Sequence, residues 1–300
     1  MCKMLPLNAK IHFLHFDCIL HIVSIRENQF MKKSCFFFFS ILFIQQLTAQ
    51  SGPYMFSGTS YLGNGQIGLL LDDAEAGIVL PALLATREKG GWSVGASKRS
   101  GIDDLTEIAA TAHIPLPWKD QISLGIQHTG IEGYSEQRIT FSYARRLFQN
   151  LNMAVQFDLN RSSTEEFDDL YASTWAVSLH APLMKELSMS AYIYNPLGNI
   201  STLDLPSMAR FDVLYQPSEK VGVALEVEKD WRHEPRFKAG VNYRIHPRLG
   251  LRWGVGTRPG IVNAGITWNI LHQMALSGGW RYHSQLGSSL SAGLSQYSYK

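Results

Sequence analysis

The clearest pattern in the chain is a strict alternation of apolar and polar positions between residues 236 and 282. From Phe237 to Ile245 every second residue is apolar, and the residues between them are charged, amide or glycine. The alternation restarts after a His-Pro break and then twice more. A period of two places the two sets on opposite faces of a β-strand, so this region predicts four consecutive strands.

Similar segments recur from residue 91 to the end of the chain and predict fourteen strands, an even number, as single-chain bacterial barrels require. Tight connections, such as residues 148–150, alternate with longer ones, such as residues 161–171, and we place the tight ones on the periplasmic side. The predicted fold is an all-β transmembrane barrel of about fourteen antiparallel strands with an N-terminal plug that contains a short helix. The predicted strands are 91–98, 105–115, 120–129, 136–146, 151–162, 172–182, 187–195, 206–217, 220–231, 235–246, 248–257, 260–271, 273–283 and 286–299.

A soluble β-sandwich would alternate in the same way, and the start of the chain separates the two possibilities. Residues 31–49 combine a basic pair at Lys32-Lys33, an apolar run over residues 36–44 and a small residue at the end, as in a cleaved secretory signal. The run is too short for a transmembrane helix, which needs about 20 residues. We expect residues 31–49 to be a signal peptide and residues 1–30 to be an upstream mis-start, with a structured extension as the alternative.

Removing residues 1–49 changes what the composition implies. All three cysteines lie there, so the mature chain needs neither a disulfide nor a reducing compartment. Five of the 27 basic and two of the 25 acidic residues lie there too, and the remaining net charge near −1 gives no electrostatic case for nucleic acid. A secreted, cysteine-free chain of alternating segments favours a barrel in bacterial outer-membrane lipid over a sandwich.

The polar face of the predicted strands carries charges of both signs. Mixed charges in a confined lumen tend to pair, which indicates a filled interior more than a selective ion pore. The predicted lumen charge network comprises Arg138, Asp158, Arg210, Asp212, Glu226, Glu228, Arg236, Lys238, Arg244, Arg252 and Arg281.

The sequence gives little support for catalysis or metal binding. Ser178 and His180 share one face of a strand, and His113 and His283 are expected to point inward, but such histidines are more often hydrogen-bonded lumen residues. The chain lacks HExxH. Its GxSxG and GxGxxG sequences, at residues 91–95 and 63–68, do not stand in the strand–turn–helix setting that their chemistry needs. We therefore expect no enzymatic activity, no catalytic residue, no metal site and no cofactor.

Residues 58–84 interrupt the strand rhythm with the sequence GTSYLGNGQIGLLLDDAEAGIVLPALL. Asp72 is placed to cap a short helix, with Glu75 as the other half of a capping box, and Pro81 would end or kink that helix. We predict a plug over residues 50–89, followed by the barrel over residues 90–300. Asp72 or Asp73 is expected to bind a lumen arginine, and helix capping alone is the alternative.

This segment resembles the amino-terminal hatch of the FadL-type barrels, a superfamily that includes PorV and PorQ of type IX secretion. Its members show a stretch of small residues, then Asp-Asp-Ala, then Asn-Pro-Ala. Here Gly63-Asn64-Gly65, Asp72-Asp73-Ala74 and Leu80-Pro81-Ala82 stand in those places, with Leu80 instead of the usual Asn. The plug motif residues are therefore Gly63, Gly65, Asp72, Asp73 and Pro81.

The resemblance implies two functions of different classes. Similarity to PorV and PorQ implies an accessory component of protein export or surface attachment, with secretion-system proteins as partners. Similarity to FadL implies a passive conduit that moves a small hydrophobic ligand through the plugged barrel and sideways into the membrane. The short outer loops favour the export role, as would a filled lumen and an apolar outer ledge, whereas a large apolar cavity beside the plug would favour the conduit.

Overall fold

The computed structural model describes residues 57–98, 105–198, 205–271 and 273–296, and the predicted signal peptide and upstream segment lie outside these ranges. The described residues form a closed barrel of fourteen antiparallel strands, each paired with its sequence neighbours, and β1 pairs with β14. The predicted barrel is therefore confirmed. The strands are β1 Gly91–Lys98, β2 Thr106–Pro115, β3 Gln121–Ile131, β4 Tyr134–Phe148, β5 Leu151–Thr164, β6 Phe167–Pro182, β7 Leu187–Tyr194, β8 Met208–Ser218, β9 Val221–Asp230, β10 Arg236–His246, β11 Leu249–Gly256, β12 Ile261–Leu271, β13 Met274–His283 and β14 Gly287–Gln296.

Strand β6 departs most from its predicted bounds, since it begins five residues earlier, at Phe167 instead of residue 172. The expected long connection over residues 161–171 is a tight hairpin, in which Thr164 pairs with Phe167 and Arg161 pairs with Tyr171. The first arm, residues 161–164, is polar throughout, and in the second arm two aspartates separate Phe167 from Leu170. The regular alternation that marks a lipid-facing strand is therefore absent. The predicted end of β14 at residue 299 lies outside the described residues.

The outer surface of the barrel is apolar and its interior is polar. Leu225 and Phe237 are exposed on the outside, whereas the next residues along each strand, Glu226 and Lys238, are buried inside. This inverts the arrangement of a soluble protein and matches a barrel whose outer face contacts lipid. No helix among the described residues is long and apolar enough to cross a membrane.

Residues 57–90, which we call the N-terminal segment, precede β1 and lie inside the barrel. The segment contains helix α1 (Thr59–Gly63), a 3₁₀ turn (Gly68–Leu70), helix α2 (Ala76–Val79) and a second 3₁₀ turn (Pro81–Thr86). Helix α1 packs against β12, β13 and β14, and the second 3₁₀ turn packs against β4, β5 and β6 across the barrel. Most of the large apolar side chains of the segment are buried between these walls.

We expect Leu225→Arg to destabilise the barrel, because Leu225 lies in the middle of β9 with 60% of its surface exposed on the outside. An arginine facing lipid near the midplane costs about 2–4 kcal/mol. Denaturant unfolding in phospholipid vesicles measures this cost. Leu197→Arg is the control, since Leu197 is 71% exposed but lies in the connection after β7. Equal stability of the two variants would contradict the assignment of β9 to the lipid-facing wall.

Candidate ligand cavity and the segment that forms its floor

The backbone of the N-terminal segment touches the barrel wall where both carry glycine. A Cβ atom added to Gly254 of β11 would lie 2.1 Å from the Cα atom of Gly65, and one added to Gly63 would lie 3.0 Å from the Cα atom of Gly265 in β12. A Cβ atom on Gly240 of β10, the register partner of Gly254, would lie 2.6 Å from a backbone oxygen of the segment. These five residues, which we call the glycine seam, allow a backbone approach that a side chain would block.

Asp72 contacts the wall through a charged pair. Its Oδ1 atom lies 3.0 Å from Nη2 of Arg252, which is buried in β11, whereas the Asp72 side chain is 43% exposed. Exposure screens the attraction between the two charges, so the pair contributes less than a fully buried one would. Arg87 holds the same turn from within the segment, because its Nη1 donates to the Asp72 carbonyl oxygen over 2.7 Å.

Asp73 and Glu75 bind the first turn of α1 instead of capping α2. The Glu75 carboxylate accepts hydrogen bonds from the backbone amides of Ser60 (3.1 Å) and Tyr61 (2.8 Å), and Asp73 accepts one from the Ser60 hydroxyl. No side chain caps α2, so the predicted capping box of Asp72 and Glu75 is wrong. The amides of a buried helix start need an acceptor because water cannot reach them, and Glu75 supplies it from a distant point in the chain.

Both buried carboxyls in this contact are difficult to ionise. Loss of solvation is the main cause that raises the pKa of the Asp73 carboxyl, and the nearby Asp72 charge adds to it. Burial likewise raises the pKa of the Glu75 carboxyl well above its usual range, with the Asp73 charge as the second cause. The motif therefore serves mainly as a set of hydrogen-bond acceptors within the segment.

The second 3₁₀ turn is bound to the opposite wall. Helix α2 ends at Val79, before Pro81, and Pro81 begins this turn. The amide of Ala82 donates to the Ser178 hydroxyl of β6 over 3.0 Å. His180, two residues along the same strand, lies with its Nδ1 atom 3.1 Å from the Asn152 amide nitrogen. The two residues considered for catalysis thus have structural contacts, one to the segment and one to the neighbouring strand.

His113 and His283, the other two histidines expected to point inward, lie at opposite ends of the barrel, each near the end of its own strand. His113 is buried in β2, and its Nε2 atom lies 3.2 Å from the Lys89 carbonyl oxygen at the end of the segment. Nδ1 of His283 accepts hydrogen bonds from the backbone amides of Gln285 and Leu286, both over 3.2 Å, in the turn after β13. Both histidines therefore hold backbone in place.

Buried charges of β9 and β10 form one cluster that also binds the segment. Lys238 Nζ lies 2.7 Å from Glu226 Oε1 and 2.8 Å from Glu228 Oε2, and it donates to the Gln66 carbonyl oxygen over 3.1 Å. Arg236 Nη1 lies 3.3 Å from Glu228 Oε1. Breaking a buried pair leaves an uncompensated charge, which costs about 3–5 kcal/mol, so the segment is coupled to a stable part of the wall.

The remaining members of the predicted lumen network lie in other surroundings. Arg210 donates to the Tyr61 hydroxyl (3.1 Å) and to the Val79 carbonyl oxygen (2.7 Å), and it stacks 4.2 Å above the Tyr192 ring. Asp212 accepts a hydrogen bond from the Ser190 hydroxyl. Asp158 accepts from Thr140 and Gln156. Three half-buried arginines complete the set: Arg138 in β4, Arg244 in β10 and Arg281 in β13.

A cavity of about 100 Å³ lies between the segment and strands β4, β5, β7 and β8. Ile78 and Val79 of α2 line it from below, and Tyr192, Tyr194 and Met208 line it from the wall. The lining residues lie near the start of β4 and β8 and the end of β5 and β7, which is the end of the barrel that the sequence predicts to face outside. The cavity is therefore closed on one side by the segment.

The tyrosines of this cavity were not among the sequence-based candidates. Tyr192 and Tyr194 occupy the same alternate positions of β7 as Ser188 and Ser190, which face the interior. Aromatic side chains at positions that are otherwise polar are the signal that could have identified them. Recognition of the cavity also requires α2 beside them, and strand periodicity cannot place that helix.

Comparisons with known proteins support the fold. Neither the models of protein families nor the curated proteins give a match to the sequence. The structure resembles the Ralstonia pickettii toluene transporter TbuX (TM-score 0.64, 10% identity, 81% of this chain and 97% of that chain). It also resembles the CymD monoaromatic hydrocarbon channel (0.64, 10%, 83% and 100%) and a Pseudomonas aeruginosa FadL homologue (0.55, 10%, 80% and 96%).

The class of protein follows from the barrel, its apolar outer face and this likeness. The chain has the fold of the FadL-type outer-membrane barrels, and its place is the bacterial outer membrane. The FadL part of the predicted resemblance is thus confirmed for the fold, and the PorV and PorQ part stays a prediction. At about 10% sequence identity the structural similarity shows only the fold, so the function has to be argued from the residues.

We expect Gly254→Leu to displace the N-terminal segment, because the leucine would occupy the position of the Gly65 backbone. Overpacking of this kind costs about 1–3 kcal/mol or more. Limited proteolysis should then cleave within residues 57–90, while the barrel stays heat-modifiable on gels. Gly250→Leu is the matched control on the same strand, since a Cβ atom there would meet only Thr267, at 3.9 Å. If the segment resists proteolysis equally in both variants, the proposed contact of the segment with the glycine seam is contradicted.

Proposed function

We propose that the chain is a passive outer-membrane conduit for small hydrophobic molecules, with the N-terminal segment as its plug. The observation that carries this proposal is the aromatic-lined cavity above the segment, near the predicted outer end of the barrel. Binding sites for small molecules are concave and mostly apolar, with a few placed polar groups, and this cavity has that character. The lumen below it is occupied by the segment and by paired charges.

The size of the cavity indicates the class of molecule. An engineered apolar cavity of about 150 Å³ in another protein binds benzene, so a cavity of about 100 Å³ that is open at one end suits a molecule with a single ring. The similar structures include a toluene transporter and a monoaromatic hydrocarbon channel, and those names describe ligands of the same size. The proposed substrates are therefore small and hydrophobic.

The wall beside the cavity offers a lateral route into the membrane. The pairing of β6 with β7 extends only to Ala176 and Tyr194, because β7 ends there, whereas β6 continues to Phe167. Tyr194 and Met208, at this gap between the described strands, both line the cavity. A hydrophobic molecule bound there is next to the position where the register between β6 and β7 ends. We propose this side as the exit, in keeping with the sideways release that resemblance to FadL implies.

The export role is the second candidate. Its support is the β5–β6 hairpin, which exposes Phe167, Leu170 and Tyr171 beyond the end of β7 and could bind a protein partner. The comparisons favour the conduit, because the similar structures are transporters and channels. Co-purification from native outer membranes distinguishes the two roles. Recovery of secretion-system proteins without bound hydrophobic molecules would favour export.

We expect Met208→Trp to reduce uptake and binding of toluene, because the indole would fill the cavity that Met208 lines. Toluene uptake into cells that express the chain, together with binding to the purified protein, measures the effect. Met184→Trp is the matched control, since Met184 is 67% exposed in the turn between β6 and β7. If cells with Met208→Trp take up toluene as fast as cells with Met184→Trp, transport through this cavity is contradicted.

A further inference from the structure

One arginine of the cavity has no protein partner for its charge at bonding distance. Arg138 of β4 lines the cavity, and it makes no hydrogen bond or salt bridge with any residue that the structure describes. Its Nε atom is buried without a partner. The terminal nitrogens of this guanidinium also have no acceptor among the described residues, so the cavity favours a ligand that supplies one.

The other two arginines of the cavity are already engaged. Arg161 lies 2.7 Å from Asp169 and also donates to Gln137 over 3.4 Å. Arg210 donates to two neutral oxygens, of Tyr61 and Val79, which bind its hydrogen atoms without neutralising its charge. The cavity therefore holds one guanidinium with unused donors and a second one without a salt bridge. Because Glu226 and Asp212 interact electrostatically with Arg210, Arg138 is the group that gives the site a preference for an anionic ligand.

The acidic groups beside Arg138 are bound elsewhere. Asp158 is close enough to interact with Arg138 electrostatically, but its oxygens accept hydrogen bonds from Thr140 and Gln156. Glu136 accepts a hydrogen bond from the Tyr134 hydroxyl. Neither carboxylate occupies the donor edge of Arg138, and that edge is suited to a bidentate bond with a planar carboxylate.

We infer that the cavity selects a single-ring aromatic carboxylate, with its ring against the aromatic wall and its carboxylate on the Arg138 guanidinium. The inference rests on the proposed function, because it names the ligand class of the same cavity. Tyr192 and Tyr194 supply the faces and edges against which a ring packs. This ligand would provide the acceptor that Arg138 lacks, which toluene does not.

Binding of benzoate, toluene and benzylamine to the purified full chain in detergent tests the inference. The Met208→Trp variant, in which the indole fills the cavity, serves as the background control. Any probe that it still takes up is dissolved in the detergent micelle. Benzoate should bind the native protein more tightly than toluene, and benzylamine should bind more weakly than either. Arg138→Met should lower the affinity for benzoate at least about tenfold, as expected for loss of a hydrogen bond to a charged group, and leave toluene unchanged.

Two further variants separate the role of Arg138 from the general charge of the cavity. Arg138→Lys should keep part of the benzoate affinity, because it retains the charge but loses the bidentate geometry. Arg145→Met is the matched control on the same strand and should have little effect, because Arg145 lies outside the cavity lining and pairs with Asp120 over 3.5 Å.

Each remaining outcome contradicts the inferred ligand class, the proposed conduit function, or both. Equal benzoate affinity in the native protein and in Arg138→Met would overturn the inference. Binding of toluene without binding of benzoate would overturn it as well, but leave the proposed conduit intact. If neither probe binds above the Met208→Trp level, both the inference and the proposed function fail.

Discussion

The contact of the N-terminal segment with the glycine seam sets the position of everything else inside the barrel. Gly65 can lie against Gly254 only because neither residue has a side chain, and this approach fixes how closely the segment meets β10, β11 and β12. Once the segment is there, the Gln66 carbonyl reaches Lys238 and Asp72 reaches Arg252. On the far side of the lumen, the same placement brings α2 under the cavity.

The interior of the barrel is held together by polar bonds as much as by apolar contact. Buried charges are tolerated only where they are paired and hydrogen-bonded, and the cluster around Lys238 satisfies this condition. Glu75 satisfies two backbone amides of α1 that water cannot reach. Because Lys238 also donates to the Gln66 carbonyl, the charge cluster joins the wall to the segment, and the position of the segment and the shape of the cavity depend on the same residues.

Much of the fold could be predicted from the sequence, because lipid on one side of each strand and a polar lumen on the other impose an alternation of apolar and polar residues. The alternation gave the number of strands and most of their bounds. It failed at the β5–β6 hairpin, where Arg161 pairs with Tyr171 beyond the lipid-facing band and the pressure for apolar residues ends. Local rules also failed for Glu75, whose partners lie 14 and 15 residues away, and not in its own helix.

The candidate site was harder to predict, because it forms where separate parts of the chain converge. Arg138 was recognised as a lumen residue, but nothing in β4 shows that its donors are unused, since that depends on the partners chosen by Asp158 and Glu136. The alternation places the glycines of β10 to β12 on the polar face of the strands. Their contact with Gly63 and Gly65 became visible only once the segment was placed.

The most direct test of the account is the ion conductance of the purified full chain in planar bilayers. The segment and its paired charges occupy the lumen, so the account predicts insertion without steady conductance, although small hydrophobic molecules can still bind near the outer end. An open porin inserted under the same conditions provides the positive control. A large and steady conductance from the intact chain would show that water and ions cross the lumen, and it would contradict the assignment of residues 57–90 as a plug.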